Sequence, residues 1–61
     1  MTRKAALAAL KAAAAQDDRK TWTRVYVENR VSLPVALQMW REGQAFARWI
    51  KERDAQKETT P

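Results

Sequence analysis

The chain has 61 residues, 46% hydrophobic and 31% charged, and its 12 Lys/Arg against 7 Asp/Glu leave a formal charge of +5. Twelve of its 28 apolar residues are alanine, too thin a supply of large side chains for a comfortably self-sufficient globule. The length therefore excludes large catalytic architectures and supports one small domain that docks on a copy of itself or a partner; the absence of cysteine and histidine removes disulfides, thiolate metal sites and the commonest general base.

Residues 1–18 are dominated by alanine and read as an N-terminal helix or arm. Thr2 is the expected N-cap, and alanine's high helix propensity carries the helix onward with no breaker before Pro34. Leu7 and Leu10 share one side, but Arg3 and Lys11 border it, so the buried face is weakly specified. The run Ala5–Ala15 is interrupted by Lys11 and is too short to cross a bilayer. It also lacks the Leu-rich stretch and cleavage context of a secretory signal. Two leucines among eight alanines make a poor membrane-surface anchor, so no membrane contact is expected. With no disulfide framework, a reducing cytoplasm is the expected location.

Residues 19–52 hold all the aromatic side chains and are the expected helical core. At 100° per residue, Trp22, Val25 and Tyr26 fall on one side with Asn29 among them, while Lys20, Arg24 and Glu28 point away and Val27 lies outside. The stretch Thr21–Val27 is also rich in β-branched and aromatic residues that alternate in the manner of a strand. Helix is favoured, because a lone strand would need a dimer mate to pair its backbone.

Ser32 can cap the next helix, Pro34 suits its first turn, and Leu33, Val35, Ala36, Leu37, Met39 and Trp40 occupy one broad arc. Phe46, Trp49 and Ile50 form a further apolar stripe opposite Gln44, Arg48, Lys51 and Ala55. Gly43, the only glycine, either ends one helix or lies inside a longer one. In the second case Ala36, Met39, Gly43, Phe46 and Ile50 keep the 3-4-3-4 spacing of a helical seam. Residues 53–61 read as a charged tail.

The stretch from Arg24 to Lys51 carries a Tyr-Val pair, then Ser-Leu-x-x-Ala, then Arg-Trp-x-Lys, with Val35, Ala36, Met39, Phe46 and Trp49 at apolar or small positions. It resembles the small helix-turn-helix modules of phage and plasmid DNA-binding proteins. Trp40 and Arg41 depart from that pattern, standing where it carries a small turn residue and a buried aliphatic. The resemblance implies a second helix in the major groove with Gln44, Arg48 and Lys51 facing the duplex, and Arg24, Arg30 and Arg41 positioned on the phosphate backbone. A ribbon-helix-helix, with 21–27 as an intermolecular strand, is a lesser alternative.

The tryptophans Trp22, Trp40 and Trp49 map to apolar arcs and are expected in the core. Of the three, Trp49 is the one expected to be partly exposed, because Arg53 lies one turn further along its face. Leu7, Leu10, Trp22, Trp40, Phe46 and Trp49 are the candidate interface residues. Catalysis has little basis: Asp17 and Asp18 diverge on a helix, and Ser32 has no histidine to activate it. No cofactor and no metal are expected.

The reading from sequence is thus an all-α domain of three or four helices, either helix-turn-helix-like or a helical hairpin, forming a homodimer. It is expected to act as a non-enzymatic DNA-binding regulator or accessory factor of a mobile element, working through residues 41–51. The alternative is a helical module that binds itself or another protein through its Trp/Phe-rich face.

Overall fold

The computed structural model describes residues 1–58, so the end of the charged tail lies outside the described residues. It consists of three helices, α1 (Arg3–Ala15), α2 (Arg19–Glu28) and α3 (Leu33–Glu58), with no strand among the described residues.

Helix α1 starts where Thr2 Oγ1 accepts the Ala5 amide at 3.1 Å, the expected cap. It ends without a glycine or proline. Asp17 adopts a left-handed conformation, φ 56°, while the Asp18 amide donates to the Ala13 carbonyl and the Asp17 amide to that of Ala14. These two bonds make a Schellman turn, which satisfies carbonyls that the helix end would otherwise leave unpaired.

Asp18 then begins α2: its carboxylate accepts the Thr21 amide at 3.1 Å and the Thr21 hydroxyl at 2.6 Å. The segment 21–27 is helical, which overturns the strand and with it the ribbon-helix-helix. The Asp18 cap holds the first turn, and Thr23 Oγ1 donates to the Arg19 carbonyl at 2.8 Å, so this β-branched side chain is bonded within the helix. A second Schellman turn closes α2. Arg30 sits at φ 52°, the Val31 amide donates to the Tyr26 carbonyl, and the Val31 side chain is buried. Trp22 and Val25 are buried, Tyr26 is half-buried and Val27 is 61% exposed, as the helical spacing predicts.

Gly43 does not break α3. The helix runs unbroken from Leu33 to Glu58, about 39 Å at 1.5 Å per residue. The glycine is there for contact: a Cβ on it would overlap the Lys11 carbonyl oxygen and come within 2.5 Å of Ala14 Cβ. Helices α1 and α3 thus meet nearly backbone to backbone, and alanines on the facing side of α1 make that approach possible.

The core is Ala6, Leu10, Ala13 and Ala14 of α1, Trp22 and Val25 of α2, Val31, and Ala36 and Met39 of α3. The alanine helix is therefore a central packing element, contrary to the expectation that the core lies within 19–52. The broad apolar arc at the start of α3 is also narrower than expected, since Leu33 and Leu37 are exposed. Trp22 fastens α2 to α3. Its Nε1 donates to the Ala36 carbonyl at 3.1 Å, and its ring stacks on Tyr26 at 5.5 Å and meets Trp40 edge-on at 5.4 Å.

The molecule extends 48 Å along one axis and 17 Å along the other two. Its radius of gyration is 13.6 Å, larger than the roughly 10–11 Å of a compact chain this long. Past Gln44, α3 holds no buried residue up to Ala55 and projects from the three-helix body.

Candidate functional site

Two surfaces of the projecting α3 bear on function, and they lie on different sides of the helix. The first holds Arg41, Arg48 and Lys51. At 100° per residue these three fall within an arc of about 80°. All are exposed, and none forms an ion pair among the described residues. The pair that Arg48 and Glu52 could make at i, i+4 spacing is not formed.

Gln44 falls on the same arc but is already engaged. Its Nε2 donates to the Ala14 carbonyl at 2.6 Å and to Asp17 Oδ1 at 3.3 Å, and the side chain is part-buried. It ties α3 to the end of α1 by giving the Ala14 carbonyl a second donor beside the Asp17 amide. Arg24 is exposed on α2 and Arg30 is exposed in the turn after it. Neither is on α3. The turn that the helix-turn-helix pattern requires near Trp40 is absent, because that stretch is interior to α3.

The second surface is apolar. Phe46 is 56% exposed, Trp49 53% and Ile50 38%. Phe46 and Trp49 stack with ring centroids 6.0 Å apart, and the Arg53 guanidinium lies over the Trp49 ring at 5.4 Å. Trp49 thus lies outside the core expected for the three tryptophans, going beyond the partial exposure expected of it, with the Arg53 guanidinium over its ring. At the near end of this stripe Glu42 Oε1 pairs with Lys11 Nζ at 3.3 Å, an exposed ion pair of small energetic weight. Beside Glu42 and Phe46 an open groove runs between α3 and the outer side of α1, floored by Ala8, Ala12, Ala15 and Gly43.

Of the other candidate interface residues, Leu10 and Trp22 are buried in the chain's own core, and Leu7 and Trp40 are half-buried against it. Of the six candidate interface residues, Phe46 and Trp49 are the two that are exposed. Sequence reasoning missed Glu42. Its signal is the spacing Glu42–Phe46–Trp49–Arg53, steps of four, three and four that line up on one helix face.

Hydrogen bonds from the Thr21 hydroxyl and amide hold the Asp18 carboxyl below the usual carboxylate range. This is a cap. Among the described residues no group of three or more acidic, cysteine or histidine side chains could hold a metal ion, and no helix is long and apolar enough to cross a membrane. The chain matches no protein-family model, no curated protein and no solved structure. What the fold and its surfaces define is a small three-helix domain with one projecting helix, basic on one side and aromatic on another.

Proposed function

We propose that the protein is a non-catalytic DNA-binding regulator or accessory factor that lays the basic side of α3 against duplex phosphates. The observation that carries the reading is the alignment of Arg41, Arg48 and Lys51 on one side of α3, exposed and without carboxylate partners among the described residues, with Arg48 and Lys51 on the part that projects clear of the body. Phosphate contact of this kind steers and holds a duplex but carries little sequence information. Gln44, the side chain best suited to read adenine, is engaged with Ala14 and Asp17. The proposed mode is accordingly helix-face contact with weak sequence preference. Arg24 and Arg30 serve as peripheral charges.

Fluorescence anisotropy of a labelled duplex at several salt concentrations tests it. Three phosphate contacts per protomer predict a slope of log affinity against log salt near about −3, and Arg48→Ala with Lys51→Ala should remove about two units of it. No binding at low salt, or an unchanged slope in the double variant, contradicts the proposal.

The exposed Phe46–Trp49 stack supports a second reading, a module that binds another protein through its aromatic side. A complex that survives high salt and is lost on Phe46→Ala would favour that reading over DNA.

A further inference from the structure

The stripe Glu42–Phe46–Trp49–Arg53 has an order that selects its occupant. An acid stands at one end, a base at the other, and two stacked aromatic rings lie between them. The spacing of four, three and four places all four side chains on one face, alternating as the two core positions of a heptad do. Such a stripe complements itself in one orientation only. If a second copy of α3 runs antiparallel about a two-fold axis between Phe46 and Trp49, Phe46 of each chain meets Trp49 of the other. The same operation brings Glu42 of each chain to Arg53 of the other. In a parallel, in-register pair Glu42 would face Glu42 and Arg53 would face Arg53, and the like charges would repel.

We infer that the aromatic side of α3 is the interface of an antiparallel homodimer, with Phe46 and Trp49 as its apolar centre and Glu42 and Arg53 as reciprocal ion pairs at its two ends.

Three features of the surface fit this occupant. Arg53 lies on the Trp49 ring with no ion-pair partner of its own among the described residues, so its guanidinium is held on the stripe with N–H groups free to donate. Glu42 uses Oε1 for Lys11 and has a second carboxylate oxygen to accept from Arg53 of the other copy. The groove beside Glu42 and Phe46 is lined on its α1 side by Ala8, Ala12 and Ala15 together with Lys11, which is drawn to Glu42, and Gln16, and the alanines leave room for the partner's helix as it passes beyond Trp49. The basic side of α3 lies away from this stripe, so dimerisation leaves Arg41, Arg48 and Lys51 accessible in both copies. The inference stands apart from the DNA reading and is tested without DNA.

An isologous contact between two single helices is at the small end of specific interfaces, so the dimer is expected to dissociate on dilution. Sedimentation equilibrium of the full chain over a hundredfold range of concentration should show monomer at the bottom and dimer at the top. Phe46→Ala with Trp49→Ala should leave a monomer throughout, with helix content by circular dichroism showing that the fold is kept. Glu42→Arg alone and Arg53→Glu alone should each weaken the dimer at least tenfold, because each creates like-charge pairs at both ends. Combining Glu42→Arg with Arg53→Glu restores opposite charges across the axis and should recover most of the loss. A wild-type chain that stays monomeric, an assembly larger than a dimer, a dimer indifferent to loss of the two aromatics, or a double charge variant no better than the singles would each overturn the inference.

Discussion

From Leu33 to Gln44, α3 lies against the other two helices and buries Ala36, Met39 and Gly43; from Ala45 to Ala55 the same helix has no fully buried residue and only Ala47 half-buried, although its apolar spacing continues through Phe46, Trp49 and Ile50. The residues near the seam change in kind at the point where α1 stops. At the closest contact with α1 stands Gly43, opposite alanine, and beyond α1 the residues are large and aromatic. A helix partner of alanines requires close backbone approach, whereas an open helix face with aromatic rings can reach a surface farther away. One helix thus serves the fold with its first half and presents a surface with its second.

The largest expected effect is on the packed side. Trp22→Ala removes the ring that meets Tyr26 and Trp40 and the donor to the Ala36 carbonyl. It should cost about 3–5 kcal/mol, enough to unfold much of so small a domain, as read by thermal denaturation. Gly43→Val comes next. Its side chain has to push Lys11 and Ala14 backbone and Cβ atoms apart, at a cost of about 1–3 kcal/mol or more. By contrast Trp49→Ala, measured at a concentration that favours monomer, should change stability by less than about 0.5 kcal/mol. Equal effects at Gly43 and Trp49 would erase the distinction between the two halves.

Smaller effects sharpen the description of the body. Arg30 occupies a left-handed position that glycine adopts without steric cost, so Arg30→Gly should stabilise the protein by about 0.5–1 kcal/mol. The last effect concerns acid. Asp18 has its folded pKa below the ordinary value, so its contribution is fully present above the unfolded carboxylate pKa and is lost as pH falls through the lower, folded one. Asp18→Asn keeps a capping oxygen but does not titrate. Its melting temperature should therefore fall less steeply than that of wild type on acidification below about pH 4.

Features set by local spacing were legible in the sequence: the Thr2 cap, the buried pair Trp22 and Val25 with Val27 outside, and Trp49 as the most exposed of the three tryptophans. Each follows from helical periodicity and the nature of one or two side chains. What escaped was set by the approach of distant segments. Alanines that bury little area by themselves looked like a shortage of core, but opposite Gly43 they become the means of close packing, and nothing within 2–18 announces that glycine. The end of α1 was hidden for a different reason, since Asp17 takes a conformation more typical of glycine. Gln44 looked like a reader of bases because its bonds to Ala14 and Asp17 join residues far apart in sequence. The candidate site was half legible: its basic and aromatic residues were identified, but their division onto separate sides of one unbroken helix depended on Gly43 not ending it.

The central claim is that α3 is one helix with a half that is satisfied within the chain and a half that is not. Residue-resolved hydrogen exchange at low and high protein concentration tests it most directly. Amides from Ala36 to Gln44 should be protected at both concentrations, while those from Arg48 to Ala55 should exchange quickly in dilute solution and gain protection as concentration rises. Uniform protection along α3 in dilute solution, or fast exchange beyond Arg48 that concentration does not alter, would contradict it.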